Sequence, residues 1–216
     1  MKMLNSFGPN PRMLRMFLAE KGIELPMVQL DLLGGENRGA AYTSKNPGGQ
    51  TPALELDDGT VIAETVAMCE YLEELHPTPA LIGSTPKERA ITRMNIRRVE
   101  LNVTEFMYNG FRFSEGLGLF KDRMLCVPEA APGLKAKAKE GMALIDKLLE
   151  GKQFICGDKI TVADLILYCC TDFAAGVGQT IDPSLKNLTA WFARVNARPS
   201  ATASLSPGWD QVGMRG

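Results

Sequence analysis

Two short apolar runs, Ala53–Leu56 and Thr60–Ala63, flank the triplet Asp57-Asp58-Gly59. Strands joined by so tight a turn pair as an antiparallel hairpin, and the Asp-Gly step is a strong local signal for one. The chain before them is organised differently. Lys2–Ser6 is a brief apolar start, and Pro9-Asn10-Pro11 then opens a helix whose Met13, Leu14, Phe17 and Leu18 share a face. Lys21-Gly22 supplies its cationic last turn and cap, and Met27–Leu33 follows as a second strand, parallel to the first after the crossover. A parallel crossover followed by a hairpin leaves few architectures open. A further helix is expected from Val66 to about Leu75, after the Glu64-Thr65 junction.

Beyond Pro77 the strand signals stop. Thr85-Pro86-Lys87-Glu88 is a capping box with proline at the first helical position, and the helical region behind it runs past Leu101. A break near Val127–Gly133 precedes a helix from Leu134 to about Glu150, Thr161-Val162-Ala163-Asp164 is a second capping box, and Leu188–Val195 gives a last helix before Pro199. The expected division is residues 1–78 as an α/β domain, 79–88 as linker, 89–205 as an all-helical domain and 206–216 as a tail.

Charge excludes some functions. With 24 basic and 25 acidic side chains the chain has no long-range field to gather nucleic acid or an anionic membrane. No apolar run approaches the ~20 residues that span a bilayer, and Asn5-Ser6 interrupts any signal-peptide core, so a cytoplasmic protein is expected. Five cysteines without C-x-x-C spacing make a metal or disulfide framework unexpected. Cys169-Cys170, inside an apolar run, reads as core packing.

The stretch from Asn46 through Thr51-Pro52 to Gly59, with the Glu64-Thr65 junction, resembles the glutathione transferases. The helix from Asn10 to Ile23 is similar to their first helix, and Gly157-Asp158 with Thr161–Asp164 to the hallmark of their helical domain. The resemblance implies a thioredoxin-like α/β domain (β-α-β-α-β-β-α) followed by an all-α domain. It implies glutathione as co-substrate, no cofactor or metal, a homodimer, and a detoxifying transferase of alkyl or aryl groups. It makes Thr51-Pro52 a cis-proline turn whose Thr51 backbone pairs with the cysteinyl part of glutathione. Glu64 and Thr65 would hold the γ-glutamyl end, Thr65 at a helix start that favours a carboxylate. Gln50 and Asn37 are candidates for the glycine carboxylate, with Lys45 as a cationic substitute.

Members of this family lower the thiol pKa with a tyrosine, serine or cysteine just after the first strand. Here that region reads Asn5-Ser6-Phe7-Gly8-Pro9-Asn10, with Ser6 the sole hydroxyl. Asn10 resembles the asparagine that faces the sulfur in nu-class transferases. As an N-cap before Pro11 it would still keep an NH₂ group free to donate to a thiolate. Microbial relatives similar through Gly83–Leu101 use a water held by the helical domain, a region that here supplies Tyr108, Arg112 and Ser114. These three, with Phe7, are the expected contacts of the second substrate. Conjugation to an electrophilic, moderately apolar small molecule is the leading expectation. Glutathione-dependent disulfide or peroxide reduction, and a non-catalytic glutathione-binding scaffold, are the alternatives.

Overall fold

The computed structural model describes residues 1–209, which divide into two compact units. Among the described residues the sheet unit holds 1–80 together with 199–209, and the helical unit holds Leu81–Arg198.

In the sheet unit the strands β1 (Lys2–Asn5), β2 (Met27–Gln29), β3 (Ala53–Glu55) and β4 (Val61–Ile62) lie in the order β2-β1-β3-β4. β1 pairs parallel with β2, placing Leu4 opposite Val28. It pairs antiparallel with β3, placing Leu4 opposite Ala53, and β3 pairs antiparallel with β4, placing Leu54 opposite Ile62. The helices are α1 (Pro9–Lys21), the short α2 (Ala40–Thr43) and α3 (Thr65–Leu75). Leu4, Leu30, Tyr42 and Ala53 form one buried cluster. Met13, Leu14 and Phe17 of α1 are buried, as are Met68, Cys69 and Leu72 of α3. This is the expected thioredoxin-like order.

Two boundaries moved for identifiable reasons. α1 begins at Pro9, so Asn10 is its second residue rather than its cap. Gly8 precedes the helix at φ 129°, a conformation open to glycine, and its carbonyl takes the Arg12 N–H at 3.1 Å. β2 stops at Gln29 because Asp31 turns the chain, its Oδ1 accepting the Gly34 N–H at 2.8 Å.

The helical unit contains α4 (Pro86–Val99), a π-helical turn at Glu100–Thr104, α5 (Glu105–Arg112) and α6 (Leu117–Phe120). It continues with α7 (Ala131–Leu148), α8 (Val162–Gly176) and α9 (Lys186–Asn196). Its core includes Ile96, Val103, Met107, Ile145, Trp191 and the adjacent Cys169 and Cys170. No helix among the described residues is long and apolar enough to cross a membrane.

The expected linker shrinks and the expected helical domain ends early. Leu81 and Ile82 are buried, and the Leu81 carbonyl accepts the Val162 N–H at 2.9 Å, so residue 81 already belongs to the helical unit. At the far end α10 (Pro199–Ala203) joins the sheet unit. Arg12 donates to the Ala201 carbonyl, Arg15 to the Ser204 carbonyl and the Ser206 hydroxyl, and Ser200 to the Glu20 carboxylate. Two buried guanidiniums on α1 therefore hold this segment through main-chain carbonyls and serine hydroxyls, which form no motif to read. Of the expected tail, residues 210–216 lie outside the described residues.

Candidate active site

The strand register decides where the candidate residues meet. Continuing the β1–β3 pairing past Leu4 and Ala53 sets Ser6 against Thr51, and continuing β3–β4 past Leu54 and Ile62 sets Pro52 beside Glu64. The end of β1, the start of α1, the Thr51-Pro52 turn and the start of α3 thus share one end of the sheet. The Thr51–Pro52 bond is cis, as expected.

Some polar groups there serve the fold. Ser6 is fully buried, and its hydroxyl lies 2.5 Å from the Thr51 hydroxyl and 3.1 Å from the Phe7 carbonyl. The Ser6 carbonyl accepts from Arg15 at 3.1 Å, and Arg15 also reaches Asn5 Oδ1 at 2.8 Å. Ser6 therefore fastens the end of β1 to the cis turn, and its proton is already shared. Asn37, also buried, donates to the Gly49 carbonyl at 2.6 Å, and the amide atom left without a partner is its Oδ1. An oxygen cannot donate to a carboxylate. Lys45 pairs with Glu55 at 2.7 Å, so the expected cationic substitute is engaged elsewhere.

Other groups are open. Among the described residues the Thr51 main chain makes no hydrogen bond. No side chain caps α3: Met68 N–H bonds the Glu64 carbonyl, leaving the N–H groups of residues 65 to 67 without helical partners. Thr65 is the first helical residue rather than the cap, and Glu64 before it is exposed at φ 65°, the one described non-glycine residue with positive φ. Asn10 is exposed in the first turn of α1, and Gln50 is exposed beside the cis turn.

Profiles described as glutathione S-transferase N-terminal domain and C-terminal domain match residues 7–75 and 128–199. Over 200 residues the chain is 34% identical to glutathione S-transferase 2 of Saccharomyces cerevisiae, covering 89% of this chain and 84% of the yeast protein. The chain belongs to the glutathione S-transferase family. A solved structure of a glutathione S-transferase domain-containing protein from Marinobacter aquaeolei is similar with a TM-score of 0.86 at 38% identity, covering 93% of this chain and 99% of that one. Maleylacetoacetate isomerase of Pseudomonas aeruginosa is 30% identical over 155 residues, 71% of each chain, so relatives at this distance are named for more than one reaction.

In this family member the expected second-substrate residues have distinct fates. Phe7 is half-buried in the sheet unit. In the helical unit the Tyr108 hydroxyl pairs with the Cys170 thiol, and burial pushes the phenol well above its ordinary value, so its ring rather than its oxygen is the available surface. The rings of Tyr108 and Phe111 both meet Phe173 edge-on, at 6.3 and 5.1 Å. The Arg112 guanidinium lies 5.9 Å from the Tyr108 ring and 5.7 Å from the Phe120 ring. Ser114 turns its hydroxyl to the Gly110 carbonyl and the Glu115 carboxylate.

Three supporting residues were not singled out from sequence. Tyr42 and Asn46 both donate to the Gln50 carbonyl, at 2.5 and 2.8 Å, and so fix the approach to the cis turn. Arg38 packs along Gly49, its Nη1 3.1 Å from where a Cβ there would sit, and donates weakly to the Gly48 carbonyl at 3.4 Å. Its position beside Asn37 was the available signal. Among the described residues no cluster of three or more His, Cys, Asp or Glu side chains could hold a metal.

Proposed function

We propose that this chain conjugates the thiolate of glutathione to an electrophilic, moderately apolar small molecule. The observation that carries the reading is the gathering, at one end of the sheet, of polar groups without partners among the described residues: the Thr51 main chain, the uncapped start of α3 and Asn10. The Thr51 N–H and C=O take the cysteinyl part of glutathione as a strand would. The free N–H groups at Thr65 and the helix dipole take the γ-glutamyl carboxylate, and Glu64 pairs with the ammonium. Gln50 and Arg38 are the donors for the glycine carboxylate, with Asn37 acting through its hold on Gly49.

Asn10 is assigned to the sulfur. Pro9 and Pro11 have no N–H and Arg12 N–H is bonded to Gly8, so the first turn of α1 offers only the Asn10 N–H and carboxamide. Both donate toward a thiolate at the positive end of the dipole. Ser6 is fully buried and its hydroxyl already donates to the Phe7 carbonyl.

The test is the ultraviolet thiolate absorbance of the protein–glutathione complex against pH, with an aryl halide and a small disulfide assayed side by side. A thiol pKa below that of free glutathione and turnover of the aryl halide are expected. Turnover of the disulfide alone would replace conjugation by reduction, a reading that the absent tyrosine, serine or cysteine at α1 keeps in view. An unchanged pKa with neither substrate turned over would remove both. Asn10→Ala should raise the bound thiol pKa more than Ser6→Ala, and Glu64→Ala should abolish glutathione binding.

A further inference from the structure

No side chain caps α1, so the direction of Asn10 is set by the main chain that leads into the helix. Pro9 and Pro11 on either side of it have no N–H with which to anchor that main chain. The loop before Asn10 is held instead at two carbonyls. The Arg15 guanidinium donates to the Ser6 carbonyl at 3.1 Å, and the Arg12 N–H donates to the Gly8 carbonyl at 3.1 Å. Both arginines also reach the opposite way.

On its other edge the Arg15 guanidinium donates from Nε to the Ser204 carbonyl and from Nη2 to the Ser206 hydroxyl, each at 2.8 Å, while Nη1 also takes Asn5 Oδ1 at 2.8 Å. The Arg12 side chain donates to the Ala201 carbonyl at 3.1 Å and, more weakly, to the Ser204 hydroxyl at 3.4 Å. Arg12, Arg15, Asn5, Ser6, Ser204 and Ser206 are all buried, so bulk water does not compete for these bonds. A guanidinium is planar, with its donors in a fixed fork. Displacing the acceptors on one edge therefore tilts the plane and drags the acceptors on the other. Every residue of this network lies in the sheet unit, although 189 positions separate Arg15 from Ser204 along the chain.

We infer that the chain after α10 belongs to the sulfur site, and that Arg15 is the positioning residue through which Ser204 and Ser206 set the direction of Asn10. This rests on the assignment of Asn10 to the thiolate, whereas the coupling of the two segments stands on the bonds of the sheet unit alone. Ser204 contributes its main-chain carbonyl, which no substitution removes, so Ser206 is the point at which the link can be cut. Ser206→Ala takes that acceptor from Nη2 and lets the fork turn. Asn10 then meets the sulfur at a poorer angle, the thiolate loses part of its stabilisation, and the bound thiol pKa rises.

The measurement is the ultraviolet thiolate absorbance of the glutathione complex against pH, with kcat for an aryl halide followed over the same range. Ser206→Ala should raise the bound thiol pKa by about 0.5 pH unit and Arg15→Lys by about 1. On the acidic limb kcat should fall about threefold and tenfold, in step with the thiolate fraction, while the alkaline plateau stays within about twofold of wild type. Ser206→Thr keeps the hydroxyl and should restore the wild-type limb. Lys21→Met, which loosens the far end of the same helix, should leave the limb in place, whereas a merely structural effect would move it too. Amide hydrogen exchange without glutathione separates the coupling from the thiolate assignment. Ser206→Ala should speed exchange of the Arg12 N–H by about threefold or more, with the Met68 N–H at the start of α3 unchanged. Faster Arg12 exchange together with a wild-type thiol pKa equal to that of free glutathione would sink the thiolate assignment and leave the coupling standing. Unchanged Arg12 exchange, a depressed thiol pKa that neither Ser206→Ala nor Arg15→Lys moves, or an equal shift in Lys21→Met would overturn the inference.

Discussion

Replacing Asp164 by alanine should lower the unfolding midpoint of the helical unit by about 10–20 °C. The magnitude follows from its bonds. Oδ1 accepts the Ile155 N–H and the Trp191 indole N–H, and Oδ2 accepts the Thr161 N–H and hydroxyl, all at 2.9 Å. Asp164 is fully buried, so alanine leaves these donors facing a small gap. At about 1–1.5 kcal/mol for each buried donor, the low end of the range because water can enter the gap, the loss is about 4–6 kcal/mol. Asparagine is the sharper probe. Its single oxygen can serve one pair of donors, and its NH₂ must then confront the other pair. The tolerable choice keeps Ile155 and Trp191, because the Thr161 hydroxyl can turn to the Cys156 sulfur at 3.5 Å while neither N–H of the first pair can turn away. One buried N–H is then stranded and the charge assistance lost, a cost of about 3 kcal/mol. In a Trp209→Phe background Trp191 becomes the sole tryptophan, and its fluorescence in a denaturant titration reports the helical unit. There is also a signature in pH. Burial pushes the Asp164 carboxyl above its ordinary 3.8, against the opposing pull of its hydrogen bonds. Between 3.8 and the raised value the folded chain keeps a proton that the unfolded chain has released, so stability falls as pH rises there. Asp164→Asn should remove that slope. An asparagine variant within about 0.5 kcal/mol of wild type would refute the reasoning, because it would mean that the donors do not need two oxygens.

Three other perturbations test separate parts of the fold. A Cβ on Gly141 would lie 1.9 Å from the Asn102 carbonyl oxygen, within the π-helical turn, so Gly141→Ala should cost at least about 3 kcal/mol in a urea titration with little change in far-UV circular dichroism. Lys21 is buried, donates to the His76 and Pro79 carbonyls at 2.6 Å each and pairs with Glu73. Lys21→Met should therefore cost about 3–5 kcal/mol by calorimetry, and Lys21→Met with Glu73→Leu should recover much of it. Arg15→Lys cannot reach Asn5, Ser6, Ser204 and Ser206 from one nitrogen, so it should cost about 2–4 kcal/mol and weaken glutathione binding through the loop after β1. An Arg15→Lys chain with wild-type melting temperature and glutathione affinity would count against that support.

The architecture was legible wherever the cause was local. The Asp57–Gly59 turn announced the hairpin, Thr85 and Thr161 announced two helices, and the match of Thr51-Pro52 to a cis turn held. What escaped depended on distant partners or on ambiguous local chemistry. Asn10 between two prolines is a good cap on paper, but Gly8 could adopt the positive φ that starts the helix two residues sooner. Pro199–Ala203 followed the last helix so closely that sequence order assigned it there. Its actual partners lie on α1, more than 180 residues away along the chain. The π-helical turn gave no sign in Glu100–Thr104, because the glycine that accommodates it stands on another helix.

The same limit applies to the site, and it explains why the structure sorts candidates that sequence leaves equal. Ser6, Asn37, Gln50, Glu64 and Thr65 are all polar residues near a turn or a helix start, and residue type alone cannot say whether the fold or a ligand uses them. Burial and existing bonds can. Ser6 and Asn37 are buried, the one with its hydroxyl against the Thr51 hydroxyl and the Phe7 carbonyl, the other donating to the Gly49 carbonyl, so they shape the turn from beneath. Gln50 and Glu64 are exposed, and Thr65 opens a helix that no side chain caps, so their polar ends face outward from a rigid frame. A buried polar group must be satisfied by the fold, whereas an exposed one on a fixed backbone is free to be satisfied by something else. Applied to the helical unit, the same criterion closes Ser114 and the Tyr108 hydroxyl, both already bonded.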